Sequence, residues 1–536
     1  MMNSIFKTVL AAVAVAIAAM PAVAQTAKDA CTSIMVGKKA SADGSVMTSH
    51  TCDSWYRTWM QMTQPKDYPN DTVMSVYKGR MHTEYPNSMD GVTEAGTIPQ
   101  ARHTYRILDT AYPCLNEHQL AIGETTYTGR DTMENKDGMF LIEELARIAL
   151  ERCTTAREAI TLMGKLIKEY GYGDSGECLT IADPNEVWIF EVQGEGPKKK
   201  GGVWAAQRIP DNHIAVSANV SRIGKIDFND KENFMWSDNV KDVAKKMKLW
   251  DGKEPFSFWK AYSGGNYFNE PKNYSVRELF IMQQLAPSAG FNDQMEELPV
   301  SVKPDEKVSL EKVAQLLGSY YEGTKLCLAD RLKVKNSKKK KSDGPEVPDS
   351  VVSPVANPWM QPDEIAVYEA LGDSAMHNIR TVSVPWCSYS TIIQCRDWLP
   401  DGVGGVAWIC LDNPGQSPRF PIFAGTTDLP DMLKVCGQHR TRDDAALWRF
   451  RQPNKLATVR WGDARKSLEP ARDHFLKKGK VELPAIEKEY AELMNAGKTE
   501  EAAQLLTDYT ADFFGATILR WDQLGNQLWK SRWKGF

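Results

Sequence analysis

Between residues 138 and 171 the sequence places two amphipathic helical patterns end to end, with β-leaning runs on both sides of them. In "GMFLIEELARIALERC", Leu141, Leu145, Ile148 and Ala149 fall on one side at helical spacing. In "TTAREAITLMGKLIKEYG", Thr155 and Glu158 fit a capping box, Ile160, Met163 and Ile167 share a face, and Gly171 suits the stop. Ahead of the pair, residues 32–36, 45–48 and "QLAIGETT" at 119–126 have strand composition, and an Asp43-Gly44 turn joins the first two. After it come further strand-like runs at 179–182, 187–192, 203–207 and 213–218. Strands, two adjacent helices, then strands again predict an α+β fold with mainly antiparallel pairing.

The rest of the chain is less regular. Residues 52–112 are mixed and rich in Pro, Tyr and Met, with few clear elements. "SLEKVAQLLGSYYEGT" predicts a helix from about Ser309, and "VSVPWCSYSTIIQC" and "GGVAWICLD" return to strand composition. Residues 334–357 hold the basic block Lys338 to Lys341 in polar, Gly- and Pro-containing sequence, expected as a solvated loop or linker. Residues 426–536 are expected to be mostly helical, as in "TEEAAQLLTDYTADFF". No internal repeat is visible.

The first 24 residues set the expected compartment. Lys7 gives a positive start, residues 9–20 are an apolar run short for a membrane span, and Ala22-Val23-Ala24 makes a small-x-small cleavage site before Gln25. A cleaved signal peptide and a periplasmic or secreted protein are expected, with a retained anchor as the competing reading. A formal charge of −4 over 536 residues points to no nucleic-acid or membrane-surface partner. Homo-oligomer formation is left open.

Ten cysteines in so long a chain do not form a disulfide scaffold. There is no C-x-x-C; the nearest grouping of metal ligands, His50-Thr51-Cys52-Asp53, lacks a fourth ligand, and neither metal nor cofactor is expected. With eight histidines some Cys–His pair is always available, and "GECLT" and "PWCSY" lack papain-like surroundings.

Cys31 stands six residues beyond the expected cleavage site and opens the first strand. If residues 25–30 are a propeptide whose removal makes Cys31 the first residue, that residue carries both a thiol and a free α-amine. An α-amine has a pKa of about 7.7–8.0, suited to a general base, and a thiolate is a strong nucleophile. A lipoprotein cysteine needs aliphatic and small residues before it, where Lys28 and Asp29 stand. On composition alone a disulfide-bonded Cys31 in a non-catalytic binding protein is an equal alternative.

"CTSIMVGKKASADGSVMTSHTCD" resembles the opening of the cysteine dipeptidase family of N-terminal-nucleophile hydrolases, relatives of penicillin V acylase and bile-salt hydrolase. "LNEHQLAIGETT", "ALERCTTAREAI", "YGYGDSGECLTIADPNEVWIFE", "WAAQRIPDNHIAVSANVSRIG", "YYEGT" and "QCRDWLPDGVGGVAWICLD" agree in order, so the resemblance spans about 31–425. It implies a four-layer αββα sandwich with a C-terminal helical extension, and an enzyme that cleaves dipeptides or short peptides. An amidase acting on N-acyl amines is the alternative within the same fold.

The resemblance also implies site residues. Cys31 is nucleophile and base; Asp53 holds its amine; His50 stands where the superfamily has an arginine; Asn219 helps form the oxyanion hole. The second oxyanion donor is expected near Thr126. Arg380 lies near a further superfamily arginine, with Arg222 a weaker alternative. Glu124 is expected to pair with a substrate's free amino group.

Overall fold

The computed structural model describes residues 30–127, 129–265, 272–336, 348–370 and 379–533. Residues 1–24, where a signal peptide is expected, residues 25–29 and the lysine block at 338–341 lie outside them. The first strand pair forms as the sequence predicts: β1 (Ser33–Val36) and β2 (Val46–Cys52) flank a turn in which Gly44 takes a left-handed φ of 87°. Four stretches then complete the core of a second sheet, β6 (Ala121–Thr126), β7 (Glu177–Ala182), β8 (Val187–Gly194) and β9 (Gly202–Ile209). Its edges are β3 (Gln61–Thr63), β4 (Ile107–Asp109), β5 (Leu115–Asn116) and β11 (Phe234–Trp236).

This eight-stranded sheet has the order β11-β9-β8-β7-β6-β5-β4-β3. The other sheet is seven-stranded, adding β10 (Ile214–Ser217), β12 (Ser301–Val302), β13 (Tyr389–Cys395), β14 (Val406–Leu411) and β15 (Phe420–Phe423) in the order β12-β10-β1-β2-β13-β14-β15. The pairings within both sheets are antiparallel. The chain therefore folds as a mixed helix-and-sheet protein, as its α+β pattern requires.

The sheets face each other through β2 and β6. Thr48 and Thr180 share a hydroxyl hydrogen bond of 2.6 Å across the gap. At Gly123 a Cβ would lie 2.5 Å from the Ser49 carbonyl, so only glycine lets β6 come this close to β2.

Helices α1 (Ile142–Arg152) and α2 (Ala156–Tyr170) pack against the eight-stranded sheet. The capping box expected at Thr155 and Glu158 is present, and the helix stops at Gly171. Helices α3 (Val276–Leu285), α4 (Leu310–Leu317), α5 (Ala446–Thr458), α6 (Trp461–Asn495) and α7 (Thr499–Trp533) pack against the seven-stranded sheet. The C-terminal helices thus seal the back of that sheet: Phe514 meets Phe420 at 5.0 Å between ring centres, and Gly479 lies flat against the Trp408 ring.

Two readings of the sequence differ from the structure. Residues 73–78 and 93–99 form a separate hairpin in the stretch that showed few elements, and a bulge between Val76 and Tyr77 breaks its alternation. Residues 382–388 are not strand, although they share the composition of β13: the Ser383 N–H bonds to the Ser319 carbonyl, and Cys387 closes a turn on Val384.

Candidate functional site

Strand pairing converges on Cys31. Ser33 pairs with Ser217, so the residue two before β1 lies beside the chain leaving β10, where Ala218 and Asn219 stand. Thr32 bridges Thr51, which brings the end of β2, with His50 and Asp53, alongside. The close approach at Gly123 sets the next residue of β6, Glu124, under the thiol. Cys31, His50, Asp53 and Glu124 are each no more than 2% exposed.

The thiol of Cys31 donates to Glu124 Oε2 at 3.5 Å, and His50 Nε2 lies 3.4 Å from the same oxygen. The His50 ring is wedged edge-on between Tyr112 and Tyr389, 5.3 and 5.8 Å away. Thr126 Oγ1 donates to the other oxygen of Glu124 at 3.2 Å.

A frame of hydrogen bonds fixes the backbone around the thiol. The Cys31 amide N–H, still joined to Ala30, donates to Asn219 Oδ1 at 2.9 Å, and Asn219 Nδ2 donates to the Thr126 carbonyl at 2.6 Å. Asn219 holds a φ of 65°, which asparagine tolerates better than most residues. Arg380 Nη2 donates to the Ala30 carbonyl at 3.2 Å and to Asp53 Oδ2 at 2.6 Å. Thr51 donates to the same Asp53 oxygen at 2.9 Å and accepts from the Thr32 N–H at 2.9 Å.

Arg277, on the first turn of α3, completes the frame. It donates to the Cys31 carbonyl at 2.6 Å, Thr32 Oγ1 at 3.0 Å, the Ala218 carbonyl at 3.0 Å and Asn219 Oδ1 at 2.8 Å. Its neighbour Glu278 both closes the capping box of α3 and accepts the Ala218 N–H at 2.7 Å.

Burial, reinforced by Glu124, pushes the Cys31 thiol well above its usual pKa, so with Ala30 attached the sulfur keeps its proton at neutral pH. Burial, with Glu124 and Asp174 nearby, likewise drives Glu177 far above the usual carboxyl range. Arg277 falls to about 10 through burial and the proximity of Arg380. A cavity of about 200 Å³ lies against Thr126 and Asn219, lined also by Tyr127, Arg130, Ser175 and Gln193.

Of the residues singled out in the sequence, Cys31, His50, Asp53, Glu124, Thr126, Asn219 and Arg380 all belong to this one cluster. Asp53 differs in its partners: its carboxylate is held by Arg380 and Thr51, and the Cys31 nitrogen belongs to Asn219. Arg222 stands apart, donating to the carbonyls of Asn273 and Pro299. None of the ten cysteines forms a disulfide. Arg277 was missed; the readable signal beside it was the Ser275–Glu278 capping pattern, which marks a helix start and nothing about an arginine.

Behind the site, buried Glu191 accepts from Ser221 Oγ at 2.5 Å and from the backbone N–H of Arg222 and Ile223 at 2.5 and 3.2 Å, tying down the loop after Asn219. Burial outweighs these donors and raises its pKa to about 7. A carboxyl that holds its proton more tightly folded than unfolded contributes most below its unfolded pKa, about 4.3, and that contribution is lost as pH rises through about 7. Between pH 5 and pH 8, Glu191→Gln is expected to gain about 2 kcal/mol of unfolding free energy relative to wild type, read from denaturant melts. A constant difference across that range removes the assignment.

Comparison with known proteins supplies the class. A family model describing peptidases matches residues 30–474, which contain every residue of the cluster, and the chain is a hydrolase of that kind. The chain belongs to peptidase family C69, a cysteine-peptidase family of the N-terminal-nucleophile type. Similar proteins include a probable dipeptidase of Latilactobacillus sakei, 26% identical over 78% of each chain. Probable dipeptidase A of Streptococcus pyogenes serotype M18 is 23% identical over 89% of this chain and 92% of its own. A probable dipeptidase of Salmonella dublin is 26% identical over 74% and 81% respectively. Among the described residues no helix is long and apolar enough to cross a membrane.

Proposed function

We propose that this chain is an exported dipeptidase whose nucleophile, Cys31, is freed by cleavage of its own Ala30–Cys31 bond. The observation that carries the reading is the geometry at that bond: the carbonyl before Cys31 receives Arg380, the nitrogen is held by Asn219, and the thiol of the same residue donates to Glu124. The facing antiparallel sheets, with helices packed against each, support the αββα sandwich of N-terminal-nucleophile hydrolases. The relatives named probable dipeptidases support the substrate class.

In the precursor, Cys31 Sγ attacks the Ala30 carbonyl carbon, and Arg380 stabilises the developing oxyanion. The C–N bond breaks, the Cys31 nitrogen takes the thiol proton, and water hydrolyses the resulting thioester. Residues 25–30 leave as a carboxylic acid, and Cys31 keeps a free α-amine. That amine then takes the thiol proton for each substrate, at a pKa suited to neutral pH. Sγ attacks the scissile carbonyl, the Asn219 amide stabilises the oxyanion, the leaving amine carries off the proton, and water releases the acyl group. Asp53, with Arg380, positions the end of β2. His50 takes the place of the superfamily arginine beside the thiol.

Glu124 supplies selectivity for a free N-terminus. A substrate ammonium beside this buried carboxylate makes a charge-assisted bond worth about 1.5–3 kcal/mol, and an acylated nitrogen forfeits it. Glu124→Gln is therefore expected to raise KM for free dipeptides about 10–100-fold, with little change for N-acetylated ones. Asn219→Ala is expected to lower kcat by about 10²–10³ at near-constant KM, the loss of one oxyanion donor.

The testing experiment offers the purified enzyme a dipeptide and its N-acetylated form. Hydrolysis of the free dipeptide alone supports the reading. Preference for the acetylated form, or equal penalties on both in Glu124→Gln, replaces it with an acylase-type amidase.

A further inference from the structure

Cys31 Sγ, a ring nitrogen of His50 and a carboxylate oxygen of Glu124 all lie within 4.8 Å of one another, each on a fully buried side chain. Two edges of that triangle are fixed: sulfur to Glu124 Oε2 at 3.5 Å, and His50 Nε2 to the same oxygen at 3.4 Å. Zinc bonds of about 2.3 Å to sulfur and about 2.0–2.2 Å to nitrogen and oxygen, at tetrahedral angles, set sulfur and oxygen about 3.6 Å apart and nitrogen and oxygen about 3.4 Å apart. The side chains already span two edges of a zinc tetrahedron.

A second observation points to a ligand independently. His50 Nδ1 has no hydrogen-bond partner, and Nε2 has only its 3.4 Å contact with Glu124 Oε2, outside hydrogen-bond geometry, although the ring is 1% exposed. Burying an imidazole without a hydrogen bond at either nitrogen is costly, and a cation between Nε2 and Glu124 relieves part of that cost. The ring's orientation is fixed by Tyr112 and Tyr389, and that of Glu124 by the Thr126 hydroxyl. Such outer partners hold ligands in place for a metal. Three protein ligands of mixed softness, a sulfur, a nitrogen and an oxygen, suit zinc and its analogues better than the hard cations, which take oxygen ligands.

We propose that Cys31 Sγ, His50 Nε2 and Glu124 Oε2 bind one zinc-class divalent cation reversibly, and that the bound cation switches the enzyme off. On binding, the thiol releases its proton to solvent, sulfur, nitrogen and oxygen each donate an electron pair to the metal, and metal-bound waters leave; no group is oxidised or reduced. The cation takes the place in which a substrate ammonium would meet Glu124, so it competes with the dipeptide. The inhibitory half of the proposal rests on Cys31 being the nucleophile; the binding half does not.

The probe is Co²⁺, titrated into chelator-washed full-length enzyme kept reduced with a phosphine. The expected result is one equivalent per chain, an intense visible band of tetrahedral cobalt, and a thiolate-to-cobalt charge-transfer band. Cys31→Ser should abolish the charge-transfer band. His50→Gln should weaken binding more than about a hundredfold, beyond the loss seen for outer-shell partners. Zn²⁺ should inhibit dipeptide hydrolysis competitively and reverse on chelation. A wild type without the charge-transfer band, or a His50→Gln variant with unchanged affinity, overturns the proposal. Cobalt bands in an enzyme that cleaves no dipeptide would sink the functional reading and leave the metal site standing. Dipeptide cleavage without the bands would do the reverse.

Discussion

Cys31→Ala is expected to leave no measurable dipeptide hydrolysis and to retain residues 25–30 after export. The two losses have one cause. Sγ is the atom proposed to attack the Ala30 carbonyl, and the α-amine it liberates is the base for every later turnover. Without the sulfur the bond has no nucleophile, although Arg380 still polarises the carbonyl and Asn219 still holds the nitrogen. Intact mass of protein secreted by a Gram-negative host reads the result directly: wild type should begin at Cys31 and the variant at Gln25. If both begin at Gln25 while wild type still cleaves dipeptides, the amine cannot be the base. A non-catalytic role for Cys31 would instead leave hydrolysis intact in the variant.

The geometry with Ala30 attached bears on why attack on a substrate needs more than a nearby thiol. With the amide bond intact the sulfur is buried beside Glu124 and its pKa lies well above neutrality. The proposed cleavage would place an amine of pKa about 7.7–8.0 on the same residue, so that deprotonation becomes local. On that reading residues 25–30 mask the base as an amide, while the thiol itself is present throughout.

How much of this was legible follows from how far each signal reaches along the chain. The helix pair at 138–171 was readable because its capping box and apolar faces are local, as was the helix capped by Ser309. Cys31, His50, Asp53 and Glu124 lie in or beside strands whose alternation is visible, and the family resemblance marked them together with Asn219. Arg277 was not legible, because it reaches Cys31 across 246 residues and no local pattern distinguishes an arginine that faces a carbonyl from one that faces water. Arg380 was named from approximate position, and the strand expected just after it, from Val382, starts later: residues 381 and 382 turn their carbonyls onto its guanidinium, and ladder pairing begins only at Tyr389. The contiguous His50-Thr51-Cys52-Asp53 does not act as one group in the fold: β2 sends His50 toward Cys31 and Glu124, while Asp53 joins Arg380 and Thr51.

Arg277→Ala tests whether that unread residue holds the site together. Its guanidinium fills four acceptors on Cys31, Thr32, Ala218 and Asn219, and all four residues are buried. Each group left unpaired costs roughly 1–3 kcal/mol, offset in part because the buried cation is itself disfavoured, as its lowered pKa records. A net loss of about 3 kcal/mol in unfolding free energy is expected from denaturant melts. Stability alone does not define the role. Arg277 contacts the backbone of the nucleophile and the oxygen of Asn219, so the variant should process slowly and show a lower kcat at nearly unchanged KM, measured well below its melting temperature. Arg277→Lys, which keeps the charge but cannot reach four acceptors, should recover part of the stability and less of kcat. A variant that loses stability yet keeps wild-type kcat and processing would reduce Arg277 to a structural strut.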